Sequence, residues 1–275
     1  MFTELFTYIT TPCPHYVRHM DYLTEVIAMK KRYQRNRSSW QPHLDNTRRS
    51  ILSAAEKCRN RSKVVVLGAG LLLDVPLVEL STMFREVVLV DVVFLPEVRR
   101  SIKRYGNMKL VSHDVTNVAQ KLYENILLGR SELPEPAPLV SEIDARTGLV
   151  VSLNILSQLW VIPRANALKK LRGFDDDQVD DWCSRIVESH YTWLLSLACD
   201  RCVIADHEFI KRDREGRAVS RSSTLYGLAL PEPDTFWTWN IAPMGEDRQY
   251  LSKELMVGAW FNPARYPEQH FSNAR

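Results

Sequence analysis

The chain has 275 residues but only five cysteines, an odd set scattered from Cys13 to Cys202. Such a set does not make a disulfide framework and points to a reducing cytoplasm. Cys199 and Cys202 have C-x-x-C spacing, but no second ligand pair stands at a distance that would complete a zinc site. A thioredoxin-like context is also missing, so both thiols read as half-buried residues where a helix meets a strand. No apolar run approaches the roughly 18 residues of a membrane span. Residues 1–20 lack an early basic region and a long apolar block, and read as part of the fold rather than a signal peptide. Net charge is only +3, too mild to imply a nucleic acid or a membrane surface as partner. No internal repeat is visible.

What remains is an ordinary globular composition, 45% hydrophobic and 25% charged, in a chain long enough to bury a full core. The expected organisation is a helical extension over 1–60 and an α/β domain over 61–275. The positive excess concentrates between residues 30 and 63, where only Asp45 and Glu56 oppose a run of lysines and arginines. This segment reads as a solvated helical face, with a phosphorylated, nucleic-acid or protein partner as the alternative.

A strand and helix rhythm starts at Lys63–Leu67. Apolar runs at 63–67, 86–90, 108–112, 149–153 and 202–205 are continuous rather than alternating, as in parallel strands buried on both faces. Helical spacing occupies 71–84, 95–105 and 118–128. A helical insertion spans about 155–200, and its strongest periodicity lies at 179–197 behind an acidic start that suits a helix N-terminus. A polar loop then leads to β-rich runs at 235–241 and 254–261, read as a terminal antiparallel hairpin. The expected fold is a doubly wound, mostly parallel seven-stranded sheet.

The chemistry starts at Gly68-Ala69-Gly70, where the first strand stops. A Gly-x-Gly turn at a strand end lets backbone approach a ligand and aims amide groups at it. Asp91 ends the second strand, where a carboxylate accepts ribose hydroxyls. The dinucleotide fingerprint asks for a small residue at position 73, which here is Leu73. The third strand ends in His113-Asp114-Val115, within reach of an adenine amino group.

At this point the sequence resembles the class I S-adenosylmethionine (SAM)-dependent methyltransferases, over about residues 60 to 262. The segments VLGAG, LVDVV, SHDVT and SLNIL carry the likeness. It implies SAM as cofactor, with Leu67, Gly68, Ala69 and Gly70 around its methionine end. Asp91 and Val92 would meet the ribose, Asp114 and Val115 the adenine, and Asn154 and Ile155 the reaction side. Two positions depart from the family: Val66 replaces an acid before the first glycine, and Leu72 a later glycine.

Methyl transfer gains most from placing nucleophile and methyl in line. Candidates for a base or polar contact at the fourth and fifth strand ends are Asn154, Asp206 and His207, with His207 preferred for its near-neutral pKa. Ser157, Gln158, Tyr226, Trp237 and Trp239 are the candidate acceptor pocket, and a small-molecule acceptor is the expected partner. His190 reads as a core histidine, and the pair His15 and His19 lacks a third metal ligand. Three other readings share the pattern: a non-catalytic scaffold, a NAD-dependent oxidoreductase, and a SAM-dependent aminocarboxypropyl transferase. The oxidoreductase would need hydride-transfer residues such as a Tyr-x-x-x-Lys pair, which the chain is expected to lack.

Overall fold

The computed structural model describes residues 2–246 and 250–264. Four helices come first: α1 (Phe2–Thr10), α2 (His15–His19), α3 (Tyr22–Arg35) and α4 (Arg37–Lys57). The alternating part follows as β1 (Lys63–Leu67), α5 (Leu77–Met83), β2 (Glu86–Asp91), α6 (Pro96–Ser101), β3 (Met108–Ser112), α7 (Ala119–Leu127) and β4 (Thr147–Leu153). Then come α8 (Val161–Lys170), α9 (Asp176–Ser196), β5 (Asp200–Arg212), β6 (Ala218–Ser223), β7 (Thr235–Ala242) and β8 (Ser252–Phe261). Among the described residues, no helix is long and apolar enough to cross a membrane.

The sheet runs β3-β2-β1-β4-β5-β8-β7, with β6 paired to β5 off that path. Five parallel strands are followed by β8, antiparallel to both β5 and β7. β1 lies at the centre, and its alternation feeds two cores. Val64 and Val66 face a layer holding Ile51, Ala54 and Ala55 of α4. Val65 and Leu67 face Val187, Tyr191 and Leu194 of α9. A continuous apolar run is what a strand covered on both sides requires.

Several elements differ from expectation. The segment after the glycine turn, expected to be helical from residue 71, stays irregular until α5 begins at Leu77. Pro76 supplies the reason, because a proline steers its predecessor out of the α region and lacks the N–H that a helix interior uses. The helix expected over 95–105 is α6 followed by a 3-10 turn at Ile102–Arg104. The fifth strand, expected over 202–205, runs on to Arg212, and the polar stretch 211–224, expected to be a loop, is mostly the turn and return strand β6 of a hairpin. An ion pair crosses this solvated hairpin, Arg221 Nη1 to Glu208 Oε2 at 2.9 Å, and another ties its β5 strand to β8, Arg212 Nε to Glu254 Oε2 at 2.7 Å. An eighth strand therefore hangs from the seven-stranded path. The connection between β7 and β8 includes residues 247–249, which lie outside the described residues.

The long helix α9 starts on a capping box formed by Asp175 and Gln178. Lys63 is buried to 1% exposure at the start of β1, where its Nζ meets Asp144 Oδ2 at 2.7 Å and the Glu142 carbonyl at 2.8 Å. Contrary to expectation the chain does have one Tyr-x-x-x-Lys spacing, Tyr105 to Lys109, but it falls at the N-terminal end of β3, opposite the strand ends that border the cavity.

Gly148 of β4 lies directly against the chain entering β1. A β-carbon there would meet the Asn60 carbonyl oxygen at 1.8 Å. Gly148→Ala is expected to cost about 2–3 kcal/mol through backbone displacement, read as a lower urea midpoint with an unchanged slope.

Candidate functional site

The carboxyl ends of β1, β2, β3 and β4 open on one cavity of about 260 Å³, roofed by α3 and α4. Its floor is the glycine turn. Gly68 takes φ +83° and Gly70 φ +44°, both left-handed conformations that favour glycine. A β-carbon on Gly68 would overlap Ile155 Cγ2 at 2.1 Å and the Leu153 carbonyl at 2.6 Å. The turn's amides, expected to face a ligand, are used internally: Gly68 and Ala69 donate to the Val90 carbonyl, and Gly70 to Asp91 Oδ2 at 2.8 Å. What the turn offers a ligand is close backbone approach, with Asp91 locked beside it.

Burial lifts the Asp91 carboxyl to a pKa of about 6, against backbone amides of Gly70, Val92 and Val93 that favour its charged form. Asp114 caps the start of α7: its Oδ1 accepts from the Thr116 amide and hydroxyl, and its Oδ2 from the Ala119 amide at 2.8 Å. A carboxylate has about four acceptor positions, so one remains for a ligand. Gly68, Ala69, Gly70, Asp91, Val92, Asp114, Val115, Asn154, Ile155, Gln158 and Trp239 all line the cavity. Leu67 is buried in the sheet behind it.

The other expected site residues are elsewhere. Asp206 is buried, accepts from Ser157 Oγ at 2.6 Å, and has its pKa lifted to about 6 by that burial. His207 occupies the register shift between β5 and β8, and burial lowers its pKa. Neither lines the cavity, and nor does Ser157. Tyr226 packs edge-on against Trp160 and donates to Asp180. Trp237 borders a second groove between α4 and the β7–β8 hairpin. His190 is a core residue against Ser152, held neutral by burial with a pKa near 3. His19 packs on Tyr123, and among the described residues no cluster of metal-ligating side chains forms. Cys202 is buried and Cys199 half-buried, with both thiols pushed up by burial, Cys202 to about 12.

Residues that sequence spacing did not single out complete the wall: Tyr22, Glu25 and Met29 from α3, Trp40 and His43 from α4, and Asp74 from the loop after the turn. His43 stacks on Trp239 with ring centroids 3.9 Å apart, and Trp40 meets Trp239 edge-on at 4.9 Å. Trp237 Nε1 donates to His43 Nδ1 at 3.0 Å. Burial holds the ring neutral, with a pKa near 3, so its single proton sits on Nε2. Asn154 Nδ2 donates to Asp74 Oδ2 at 3.1 Å, and Arg48 of α4 donates to the Leu73 carbonyl, pinning the loop. Among the described residues, no lysine or arginine lines this cavity.

The strand order separates this sheet from a dinucleotide-binding one, whose six parallel strands run 3-2-1-4-5-6. Here the last strand is antiparallel and inserts between β5 and β7. The fold is that of the class I methyltransferases. No family model and no curated protein matches the chain. Among solved structures it is similar to the 1,6-didemethyltoxoflavin-N1-methyltransferase of Burkholderia thailandensis, bound to 1,6-didemethyltoxoflavin and S-adenosylhomocysteine. That likeness has 15% identity and a TM-score of 0.37, over 90% of this chain and 91% of the other. It is also similar to DhpI in complex with S-adenosylhomocysteine (10%, TM-score 0.36, 88% and 96% covered). A third likeness is to an O-methyltransferase family protein from Burkholderia thailandensis (12%, TM-score 0.36, 87% and 60% covered).

Trp237→Phe removes the donor that fixes the His43 tautomer. Imidazole ¹⁵N spectra are expected to change from a single Nε2–H form to a mixture, with a stability loss of about 1 kcal/mol. An unchanged spectrum would show that Trp237 does not set the tautomer.

Proposed function

We propose that the protein is a SAM-dependent methyltransferase whose acceptor is a small molecule enclosed beneath α3 and α4. One observation carries this reading: three successive parallel strand ends deliver a glycine turn, Asp91 and Asp114 into a single cavity. Asp91 would accept the ribose hydroxyls, Asp114 with Val115 would hold the adenine, and Asn154 with Ile155 would border the reacting end. The bound cofactor supplies a methyl group activated on a sulfonium.

On the acceptor side, Met29, Trp40, Leu44, Leu159, Ile162 and Trp239 make an apolar wall that keeps water away. His43 takes the Trp237 bond on Nδ1 and stands with Nε2 3.5 Å from Asn154 Nδ2, so its ring offers no base and positioning is its contribution. His207, Asp206, Ser157, Tyr226 and Trp237 would act only through residues between them and the cavity.

A small acceptor is favoured over a nucleic acid because the cavity lies enclosed beneath α3 and α4, and several cations of segment 30–63 are engaged in internal pairs. Lys30 pairs with Glu97, Lys31 with Glu4, Arg35 with Glu246, and Lys63 with Asp144. We read residues 1–60 as a helical extension that doubles as the cover of a domain spanning 61–275. The free cysteines favour a cytoplasmic setting.

Calorimetric titration with SAM, S-adenosylhomocysteine and NAD tests the reading. Submicromolar to micromolar binding of the two sulfur compounds is expected, with a loss of at least tenfold in Asp91→Ala. Binding of NAD alone would overturn the proposal in favour of an oxidoreductase. A folded protein that binds none of the three would be a scaffold.

A further inference from the structure

The amino-acid end of SAM carries an ammonium, and Val66, buried in the sheet, stands where an acid would otherwise meet it. The strand order supplies a replacement. Along β3-β2-β1-β4 the strand ends present Asp114, Asp91, the glycine turn and Asn154 in a line. A ligand with adenine at Asp114 and ribose at Asp91 therefore carries its remaining end over the turn towards Asn154. The irregular segment 71–76 folds back to that point: Leu72 turns through φ +61°, and Arg48 holds the Leu73 carbonyl. Asp74 is left against the Asn154 amide, 3.1 Å from Nδ2.

Both side chains line the cavity, and Arg48 influences Asp74 only at a distance, without pairing with it. No ion pair to Asp74 forms among the described residues, and Arg48 is engaged by Leu73 and Asp45. Asn154 is 8% exposed, and its Oδ1 has no partner among the described residues. A buried acceptor left unmatched is costly, and a carboxylate beside a free amide oxygen is the donor-poor arrangement that an ammonium, with three donors and no acceptor, satisfies.

We propose that Asp74, with Asn154 Oδ1 beside it, anchors the α-ammonium of the cofactor's amino-acid end. The inference rests on the SAM reading and adds to it a residue outside the family's usual position for the acid. Burial lifts Asp74 to a pKa of about 6 in the ligand-free protein. A bound ammonium favours its charged form, so affinity for the amino-acid end falls as pH drops through that value. The groups facing Asp74 are His43, neutral down to about 3, and the permanently charged Arg48, with Glu25 on the α3 wall of the same cavity.

The test compares S-adenosylhomocysteine with 5′-methylthioadenosine, which has the adenosine and thioether but no amino-acid end. In the wild type, S-adenosylhomocysteine should bind at least tenfold more tightly. Asp74→Asn, isosteric and checked by thermal melt, should erase at least tenfold of that affinity while 5′-methylthioadenosine stays within about twofold. Equal weakening of both ligands, or of neither, would overturn the proposal. A second measurement needs no variant: the ratio of the two wild-type affinities should fall several-fold between about pH 8 and about pH 5. Asp91 and Asp114 face the part common to both ligands and cancel in that ratio, so a flat ratio also overturns the proposal. A wild type that binds neither ligand brings down the cofactor reading itself, a distinct outcome.

Discussion

Gly68 has no room for a β-carbon, because the end of β4 lies against it: Ile155 Cγ2 and the Leu153 carbonyl fill the space a side chain would need. That contact joins the two central strands at the point where the chain leaves the sheet. Asp91 then locks the turn from the other side through the Gly70 amide. Three strand ends thus form one rigid unit before any ligand is considered, and everything polar in the cavity is positioned relative to it. In an open α/β sheet the crevice at these ends is where ligands bind. Here the close approach of β1 and β4 makes that crevice narrow and brings Asn154 to its edge.

The cover is a second consequence of the same centre. α4 packs across the sheet through Ile51, Ala54 and Ala55 and reaches the hairpin through Trp40, whose indole donates to the Ile241 carbonyl at 3.0 Å. His43, close by on the same helix, is carried to the cavity wall and stacked on Trp239. The N-terminal helices therefore share a core with the sheet and contribute to the wall. Lys30, Lys31 and Arg35 face acids on neighbouring elements, so part of this locally cationic segment is neutralised within the fold.

How much of this was legible depended on whether the signal was local. β1, β2 and β4 announce themselves as Val- and Leu-rich runs, because burial on both faces admits little else, whereas β3, at the sheet edge, is only partly buried and mixes Lys109 and Ser112 into its run. α9 declares itself by periodicity and an acidic start. The β5–β6 hairpin was hidden because a solvated strand edge has polar residues on both faces, and its ion pairs involve partners distant in sequence. Asp91 and Asp114 stand out because a strand end is a countable position. Asp74 does not: it lies in what looks like a helical repeat, and only Pro76 signals that the helix must start later. His43 could not be found from spacing, since its role depends on Trp237 and Trp239 arriving from the other end of the chain. The base expected at the fifth strand end, His207, illustrates the converse. Its position is right by counting, but the register shift in β5 leaves it off the cavity wall.

Electrostatics gives the cavity its character. It is lined by Glu25, Asp74, Asp91 and Asp114 and, among the described residues, by no lysine or arginine. Such a site repels anions, so a phosphate-rich dinucleotide would meet carboxylates where it needs donors. A cofactor with a sulfonium and an ammonium has the opposite demand. Burial already raises Asp74 and Asp91 to about 6, meaning that the ligand-free protein holds these charges at a cost. A cationic ligand that also donates hydrogen bonds lowers that cost as it binds. The same residues that make the empty site uncomfortable thereby make it selective, and the selectivity is for charge and hydrogen-bond donors at the cofactor end. On the proposed reading, Met29, Trp40, Leu44 and Trp239 of the same cavity would meet the acceptor by shape and apolar contact, while the carboxylates fix the charged cofactor so that the nucleophile can be aligned with it.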